Sequence, residues 1–190
     1  MQTHLGITRD EALKLMKDHL TADNLQKHCL ATEAIMRALA RRMEEDEDLW
    51  GIAGLLHDLD YAETKDDMGN HTLRTAAILE ERGVCKEIID AIKGHNADNL
   101  GYQREAPIDH ALTSAECITG MIVPTALVYP DKKLASVKTK SIIKRMKQKE
   151  FARSVNRDYI RECEKIGIPL EEFAELSLNA MREISDELGL

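Results

Sequence analysis

The chain contains few of the residues that mark sheet-rich, disulfide-bonded or membrane-spanning proteins. Aromatic residues make up only 4% of its 190 residues, and alternating β-branched runs between turn residues are nearly absent, which disfavours a β protein. Its four cysteines are widely separated and form no CxxC pair, which argues against a zinc ribbon or a thioredoxin-type motif. No apolar run approaches the length of a membrane-spanning helix. We therefore expect a helical protein whose cysteines are reduced.

Charge and the start of the chain narrow the expected location and partners. The net charge of −8 argues against a surface that binds a nucleic-acid polymer. A local cationic pocket would still allow an acidic protein to bind a phosphate. The N-terminus, from Met1 to His4, has no basic segment followed by an apolar stretch, so we expect no secretory signal. The expected location is cytoplasmic, with no membrane partner.

Helix-forming residues and cap signals predict an all-α protein. Ala, Leu, Glu, Lys, Met and Arg are abundant, and apolar residues recur at helical spacing. Thr8 and Glu11 form the pattern of a capping box at the start of the first helix. A second helix is predicted over about residues 25–43, with Asp23 or Asn24 as its cap.

The rest of the chain adds shorter helices and shows no linker to a second domain. Polar residues 61–70 predict a loop, and the two prolines within 123–131 predict an irregular connection. A final helix is predicted over residues 170–188. We therefore expect residues 1–190 to form one all-α domain whose last third packs as additional helices.

His57 and Asp58 are the most informative pair of residues in the sequence. They end a segment of apolar and small residues, 50–56, where a carboxylate needs a partner because an unpaired buried charge is costly. A metal ion is a partner that would also use the histidine. Three further histidines precede or follow the pair: His28, His71 and His95. We therefore predict a metal site built from separate helices.

A second carboxylate is conspicuous for the same reason. Glu116 lies in the otherwise apolar run Ala115–Ile118. Adjacent residues on a helix point about 100° apart. His57 and Asp58 can therefore share an ion only if the helix end faces it, or if Asp58 bridges two ions. Other helices must supply the remaining ligands.

The order of these residues resembles that of the HD-domain metal-dependent phosphohydrolases. In that family, the ligands follow the order His…His-Asp…Asp on an all-α scaffold. Here His28, the His57-Asp58 pair and Glu116 stand in the same order. Glu116 departs from the pattern, because its extra methylene moves the carboxylate relative to that of the usual Asp.

Three segments are similar to one subgroup of that family, the HDIG-like proteins. Residues 53–60 are similar to its apolar segment around the HD pair, although Leu59-Asp60 replaces the Ile-Gly of the subgroup. The segments around His71 and His95 are similar to those that carry its further histidines. Beside the motif, Asp60 and Tyr61 are interpreted either as groups that orient the ligands or as solvated loop residues.

The resemblance implies a division of the domain and a set of ligands. An HD metal-binding core would span residues 20–125, and a C-terminal helical extension, 126–190, would pack on it. The implied cofactor is one or two divalent ions, for which Mn, Fe, Mg, Ni and Zn are all compatible with imidazole and carboxylate ligands. The candidate metal ligands are His28, His57, Asp58, His71, His95 and Glu116.

The resemblance also suggests roles in catalysis. Asp58 would hold an ion and orient or deprotonate the attacking water. His71 and His95 would either complete a second metal site or contact the substrate phosphate and protonate the leaving oxygen. Lys132 and Lys133 are candidates for a cationic lip that attracts the phosphate, although a solvated helical face is the favoured interpretation.

The implied activity is hydrolysis of a small phosphate ester, such as a nucleotide or a cyclic nucleotide. The alternative is a metal-binding HD domain with little catalysis that acts as a sensor or an interaction module. Glu116 keeps this alternative open. A third interpretation is a di-iron oxygenase, since some relatives use two irons oxidatively.

Overall fold

The computed structural model describes residues 4–190, and it is all-α as expected: these residues contain helices and no strand. The expectation of no secretory signal rests partly on residues 1–3, which lie outside the described residues. The α-helices are α1 (Arg9–His19), α2 (Asp23–Met43), α3 (Glu47–Leu56), α4 (Tyr61–Thr64), α5 (Leu73–Glu81), α6 (Lys86–His95), α7 (Ala97–Leu100), α8 (Pro107–Leu127), α9 (Thr139–Met146), α10 (Arg157–Ile160), α11 (Leu170–Glu183) and α12 (Ser185–Leu188). Two 3₁₀ helices span Leu134–Ser136 and Arg161–Ile166.

The first two helices begin in different ways. The capping box of α1 is confirmed, because Thr8 accepts a hydrogen bond from the Glu11 amide and the Glu11 carboxylate accepts one from the Thr8 amide. The predicted cap of α2 is wrong, because Ala22 occupies the cap position without a side-chain hydrogen bond. Asp23 is the first helical residue instead, where its carboxylate favours the positive end of the helix and pairs with Lys27 at 2.9 Å.

The predicted irregular connection begins later than expected, because α8 continues through Pro124 to Leu127. Proline removes one backbone donor from a helix interior and disfavours the preceding turn. Ile122 and Ala126, on either side of it, are fully buried. The buried side chains of this helix therefore outweigh the local cost of the proline.

Two other boundaries differ from the prediction. The expected loop over 61–70 begins with the one-turn helix α4 before its turns. The final predicted helix is divided at Ile184, which separates α11 from α12. Local turn preferences decide such short segments, and helical periodicity over a long window does not resolve them.

Helix α2 lies at the centre of the packing and brings the site elements together. It contacts α3, α8 and α11, and α8 also contacts α6. Every residue of α3 from Leu49 to Leu56 is buried. Within the described residues, no helix is long and apolar enough to cross a membrane. The division into a core of 20–125 and an extension of 126–190 stays a prediction.

Gly54 allows α3 to approach α2 closely. This close approach positions the residues that follow α3. A Cβ at this position would lie 3.0 Å from the Met36 Cγ atom and 3.0 Å from the Thr32 carbonyl oxygen. Both are closer than ordinary van der Waals contact, and one of them belongs to the α2 backbone. The chain therefore needs glycine here to hold the end of α3 against α2.

We expect Gly54→Ala to lower the free energy of unfolding by about 1–3 kcal/mol, because overpacking forces the two helices apart. Urea denaturation of the metal-free protein measures this change. Gly69→Ala is the matched control, because a Cβ there meets only an Asp67 carboxylate oxygen at 3.7 Å. Equal stability of the two variants would contradict the close approach.

Candidate metal centre

Five of the six predicted ligands converge from four parts of the chain. His28 lies in the second turn of α2, and His57 and Asp58 directly follow α3. His71 precedes α5, and His95 is the last residue of α6. Four of these side chains are buried and His28 is half-buried. Packing of α2, α3 and α6 therefore gathers donors that lie far apart in the sequence.

The Asp58 carboxylate lies between two pairs of imidazoles. Its Oδ2 atom is 3.7 Å from the His28 Nε2 atom and 3.6 Å from the His57 Nε2 atom. Its Oδ1 atom is 3.3 Å from the His71 Nε2 atom and 3.7 Å from the His95 Nε2 atom. The donors form two groups that share Asp58, and the ligand atoms within each group lie within 4.8 Å of one another.

Backbone carbonyls fix the tautomers of two of these imidazoles. His57 Nδ1 lies 2.8 Å from the Gly54 carbonyl oxygen, and His95 Nδ1 lies 2.7 Å from the Ile92 carbonyl oxygen. A carbonyl only accepts, so each Nδ1 carries the proton and donates it. Each Nε2 therefore keeps a lone pair that can bind a metal.

Side chains orient the other two imidazoles in the same way. His71 Nδ1 lies 2.8 Å from the Asp60 Oδ1 atom. His28 Nδ1 lies 2.9 Å from the Thr119 hydroxyl, which donates its own proton to the Glu116 carbonyl oxygen at 2.7 Å. Both Nδ1 atoms therefore donate, provided that Asp60 is ionised. When the imidazoles are neutral, all four Nε2 atoms are left to accept a cation, so the donor set fits a divalent metal.

Asp60 positions the His71 imidazole. Of the two interpretations of Asp60, a group that orients a ligand and a solvated loop residue, the structure therefore favours the first. Asp60 is buried, and its Oδ1 atom accepts from the Thr72 amide while its Oδ2 atom accepts from the Thr75 amide. Thr72 has a φ of 72°, a conformation that costs a threonine energy. Asp60 therefore holds both the imidazole and the strained backbone beside it. Tyr61 packs edge-on against His71, with ring centroids 5.6 Å apart.

Burial and charge set the protonation of the metal-free site. Burial lowers the pKa of His57 to about 3. Burial would also lower the pKa of His71, but hydrogen bonds to Asp58 and Asp60 outweigh it and raise that pKa to about 9. Burial would raise the pKa of Asp58, but the surrounding imidazoles hold it well below its usual value. The metal-free site therefore pairs an ionised Asp58 with a protonated His71.

These two imidazoles are expected to give the metal-free protein its highest free energy of unfolding near pH 6.5, their ordinary pKa. The raised pKa of His71 adds stability that is complete below pH 6.5 and is lost as pH rises to about 9. The lowered pKa of His57 removes stability as pH falls from 6.5 to about 3. Urea denaturation of chelator-treated protein at several pH values measures the profile, and a flat profile would contradict it.

The other predicted site residues lie apart from the two donor groups. Glu116 faces the same cavity, but its carboxylate belongs to neither group and accepts a hydrogen bond from the Cys117 thiol at 2.9 Å. Its assignment as a metal ligand stays a prediction. Lys132 and Lys133 are exposed in the connection after α8, and neither lines the cavity. The structure does not bring the predicted cationic lip to the site.

A cavity of about 400 Å³ opens over the donors. It is lined by Asn24, Leu25, His28, Asp58, Tyr61, Met68, His71, His95, Asn96, Asn99, Glu116 and Tyr159. Asn96 was missed by the sequence reasoning, although its position beside His95 was a signal. Its amide donates to the carbonyls of Met68 and His71, so it fixes the loop that carries His71.

Two further residues, one that lines the cavity and one that contacts its lining residues, had no signal in the sequence. Tyr159, from α10, lines the cavity and donates its hydroxyl proton to Asp98. The Arg104 guanidinium lies 4.9 Å from the Tyr159 ring centroid and donates to the His95 carbonyl at 3.3 Å. Both reach the site through packing between distant segments, which spacing along the chain cannot reveal.

The fold is all-α, and a buried carboxylate lies between two pairs of imidazoles. These features are typical of helical proteins that bind metal through histidine and aspartate. A family model described as HD domain matches residues 25–126, more than half of the chain. The chain therefore belongs to the HD-domain family. The match does not separate the HDIG-like subgroup, which stays a prediction. No curated protein and no solved structure matched the chain.

Proposed function

We propose that the protein is a metal-dependent phosphohydrolase that acts on a small phosphate ester in the cytoplasm. The observation that carries the proposal is the Asp58 carboxylate, with one oxygen toward His28 and His57 and the other toward His71 and His95. A carboxylate shared by two donor groups is the arrangement that holds two divalent ions close together. It supports the interpretation of His71 and His95 as ligands of a second ion.

The residues of the chain prepare the site before substrate arrives. Divalent ions supply the Lewis acidity that lowers the pKa of a water and stabilises charge on phosphoryl oxygens. The four imidazoles are held with Nε2 toward Asp58, which limits reorganisation when the site is filled. Both Asp58 oxygens face imidazoles, so Asp58 would hold metal together with them and is less suited to act as the general base. Glu116 is a second carboxylate on the cavity wall that could accept a proton.

Metal reconstitution combined with a substrate panel tests the proposal. Chelator-treated protein is reloaded separately with Mn, Fe, Ni, Zn or Mg, and its metal content is measured. Each form is then assayed for phosphate release from monoesters and for cleavage of diesters, including cyclic nucleotides. We expect two ions per chain with at least one metal, and turnover only in loaded forms. Failure of every form to bind metal, or to turn over any ester, would contradict the hydrolase.

A metal-binding HD domain with little catalysis is the second candidate, and the position of Glu116 favours it. A carboxylate outside both donor groups leaves the site without the last ligand that the family resemblance implies. This candidate predicts full metal content, stabilisation of the fold by the metal, and no turnover across the panel. Thermal denaturation with and without metal, measured beside the assays, separates the two candidates.

A further inference from the structure

The cavity over the metal centre has an unusual charge for a site that binds phosphate. Asp58 and Glu116 line it, together with neutral amides such as those of Asn24 and Asn99. Among the described residues, no lysine or arginine lines this cavity. Only the bound ions would balance the charge of a substrate there. A single phosphate group suits this site better than a polyphosphate, whose further charges would meet no cationic side chain.

A second groove, of about 360 Å³, lies directly beside the metal cavity. The two share Asn24 and His28 as lining residues. Most of the remaining side chains on this groove are aliphatic or proline: Ala31, Val123, Pro124, Leu127, Leu188 and Leu190. Leu127, at 48% exposure, is one of the few large apolar side chains that the fold leaves open to solvent.

His28 lines both the groove and the cavity of the proposed reaction centre. Its Nε2 atom faces Asp58, and its Nδ1 atom faces Thr119, which also lines the groove. Lys27 is the cation on the groove, and it is already paired with Asp23 at 2.9 Å. A ligand extending from the metal cavity past His28 would therefore enter apolar surroundings without an unpaired cation.

We propose that this groove holds the organic group of the substrate, which is then a monophosphate ester of an uncharged, mainly apolar alcohol. This inference rests on the proposed hydrolase function and narrows its substrate class. Apolar area removed from water in the groove would contribute binding energy that a charged or sugar-like group could not. Nucleoside triphosphates and glycerol phosphate are then poor substrates, for reasons of charge and of polarity respectively.

Linear alkyl phosphates test the proposal on the metal-loaded full chain. We expect kcat/KM to rise by roughly fourfold per methylene from methyl to butyl phosphate, and to be lower for glycerol phosphate and lowest for ATP. Calorimetry with methylphosphonate and octylphosphonate provides a reading that does not depend on turnover. Octylphosphonate should bind more tightly than methylphosphonate.

Two neighbouring variants show whether the groove is responsible. Leu127→Gln should reduce the preference for octylphosphonate over methylphosphonate by roughly fivefold, with little change for methylphosphonate itself. Val128→Gln is the matched control, because Val128 is 56% exposed and does not line the groove. It should leave the preference unchanged. Thermal denaturation confirms that both variants are folded.

The outcomes separate this inference from the proposed function. Three results would overturn the groove proposal and leave the proposed hydrolase function intact. They are turnover that does not depend on the length of the alkyl chain, a preference for ATP, and equal effects of the two variants. If no metal-loaded form hydrolyses any ester, the proposed hydrolase function is rejected. Calorimetry then shows whether the groove binds an apolar ligand. A preference for octylphosphonate that Leu127→Gln alone reduces supports an apolar ligand, and no preference overturns it. A dimer that buries Leu127, detected by light scattering and lost in Leu127→Gln, would also overturn it.

Discussion

Replacement of Asp58 by alanine is expected to remove both ions of the proposed metal centre and to lower kcat/KM on the order of a thousandfold or more. The reason is that both donor groups use this carboxylate, through different oxygens. Without it, two pairs of imidazoles remain, with Nε2 atoms 3.1 Å apart in one pair and 3.2 Å apart in the other. Neither pair alone offers the charge that a divalent ion needs. Metal analysis of the purified variant, followed by the ester assays, measures both effects.

Two comparisons make the Asp58→Ala result specific. Asp58→Asn keeps the shape of the side chain and removes its charge, so it should resemble the alanine variant if charge is what matters. His19→Ala changes a histidine at the end of α1 that belongs to neither donor group and does not line the cavity, and it should retain full metal content and activity. An Asp58→Ala variant that still binds one ion per chain with unchanged affinity would show that the carboxylate is not shared.

The convergence of five candidate ligands could be predicted from the sequence because their side chains are chemically distinctive and their order along the chain can be recognised. The residues of α3 just before His57 and Asp58 are apolar or small on every side, so any fold is expected to bury them. The ionisable pair at their end is therefore expected to be buried as well. The partners of the imidazoles were not accessible in this way. Gly54 and Ile92 act through carbonyl oxygens, which every residue carries, so only the path of the backbone identifies them.

The fold could be predicted at the level of its helices but not at their ends or in their packing. Helical periodicity can be recognised in α2, which has a long buried face, whereas α8 is buried on most of its sides and is indicated by its helix-forming composition. The persistence of α8 past Pro124 depends on burial by other helices, which a local rule about proline does not include.

The same limit explains why Tyr159 was missed. It reaches the cavity because α10 packs against α8, a contact between segments far apart in the chain.

Replacement of Asp60 by asparagine is expected to weaken metal binding at His71 and His95 far more than metal binding at His28 and His57. Asp60 accepts hydrogen bonds from His71 on one oxygen and from the Thr75 amide on the other. Asparagine has one acceptor oxygen, so its NH₂ group must face either the His71 Nδ1–H or the Thr75 amide. A buried donor is then left unsatisfied, and His71 loses the carboxylate that fixes its tautomer. Loss of such a partner typically reduces metal affinity about 10- to 100-fold.

A metal titration followed by calorimetry separates this specific effect from general destabilisation. The affinity of the ion at His28 and His57 should stay within about twofold of the parent, because those imidazoles use Thr119 and the Gly54 carbonyl instead of Asp60. Asp67→Asn is the matched control in the same segment, where an exposed carboxylate accepts, among the described residues, only from Asn70. It should leave both affinities unchanged. Equal weakening of both ions by Asp60→Asn would mean that Asp60 supports the whole site through folding. Selective weakening would identify it as the residue that positions His71.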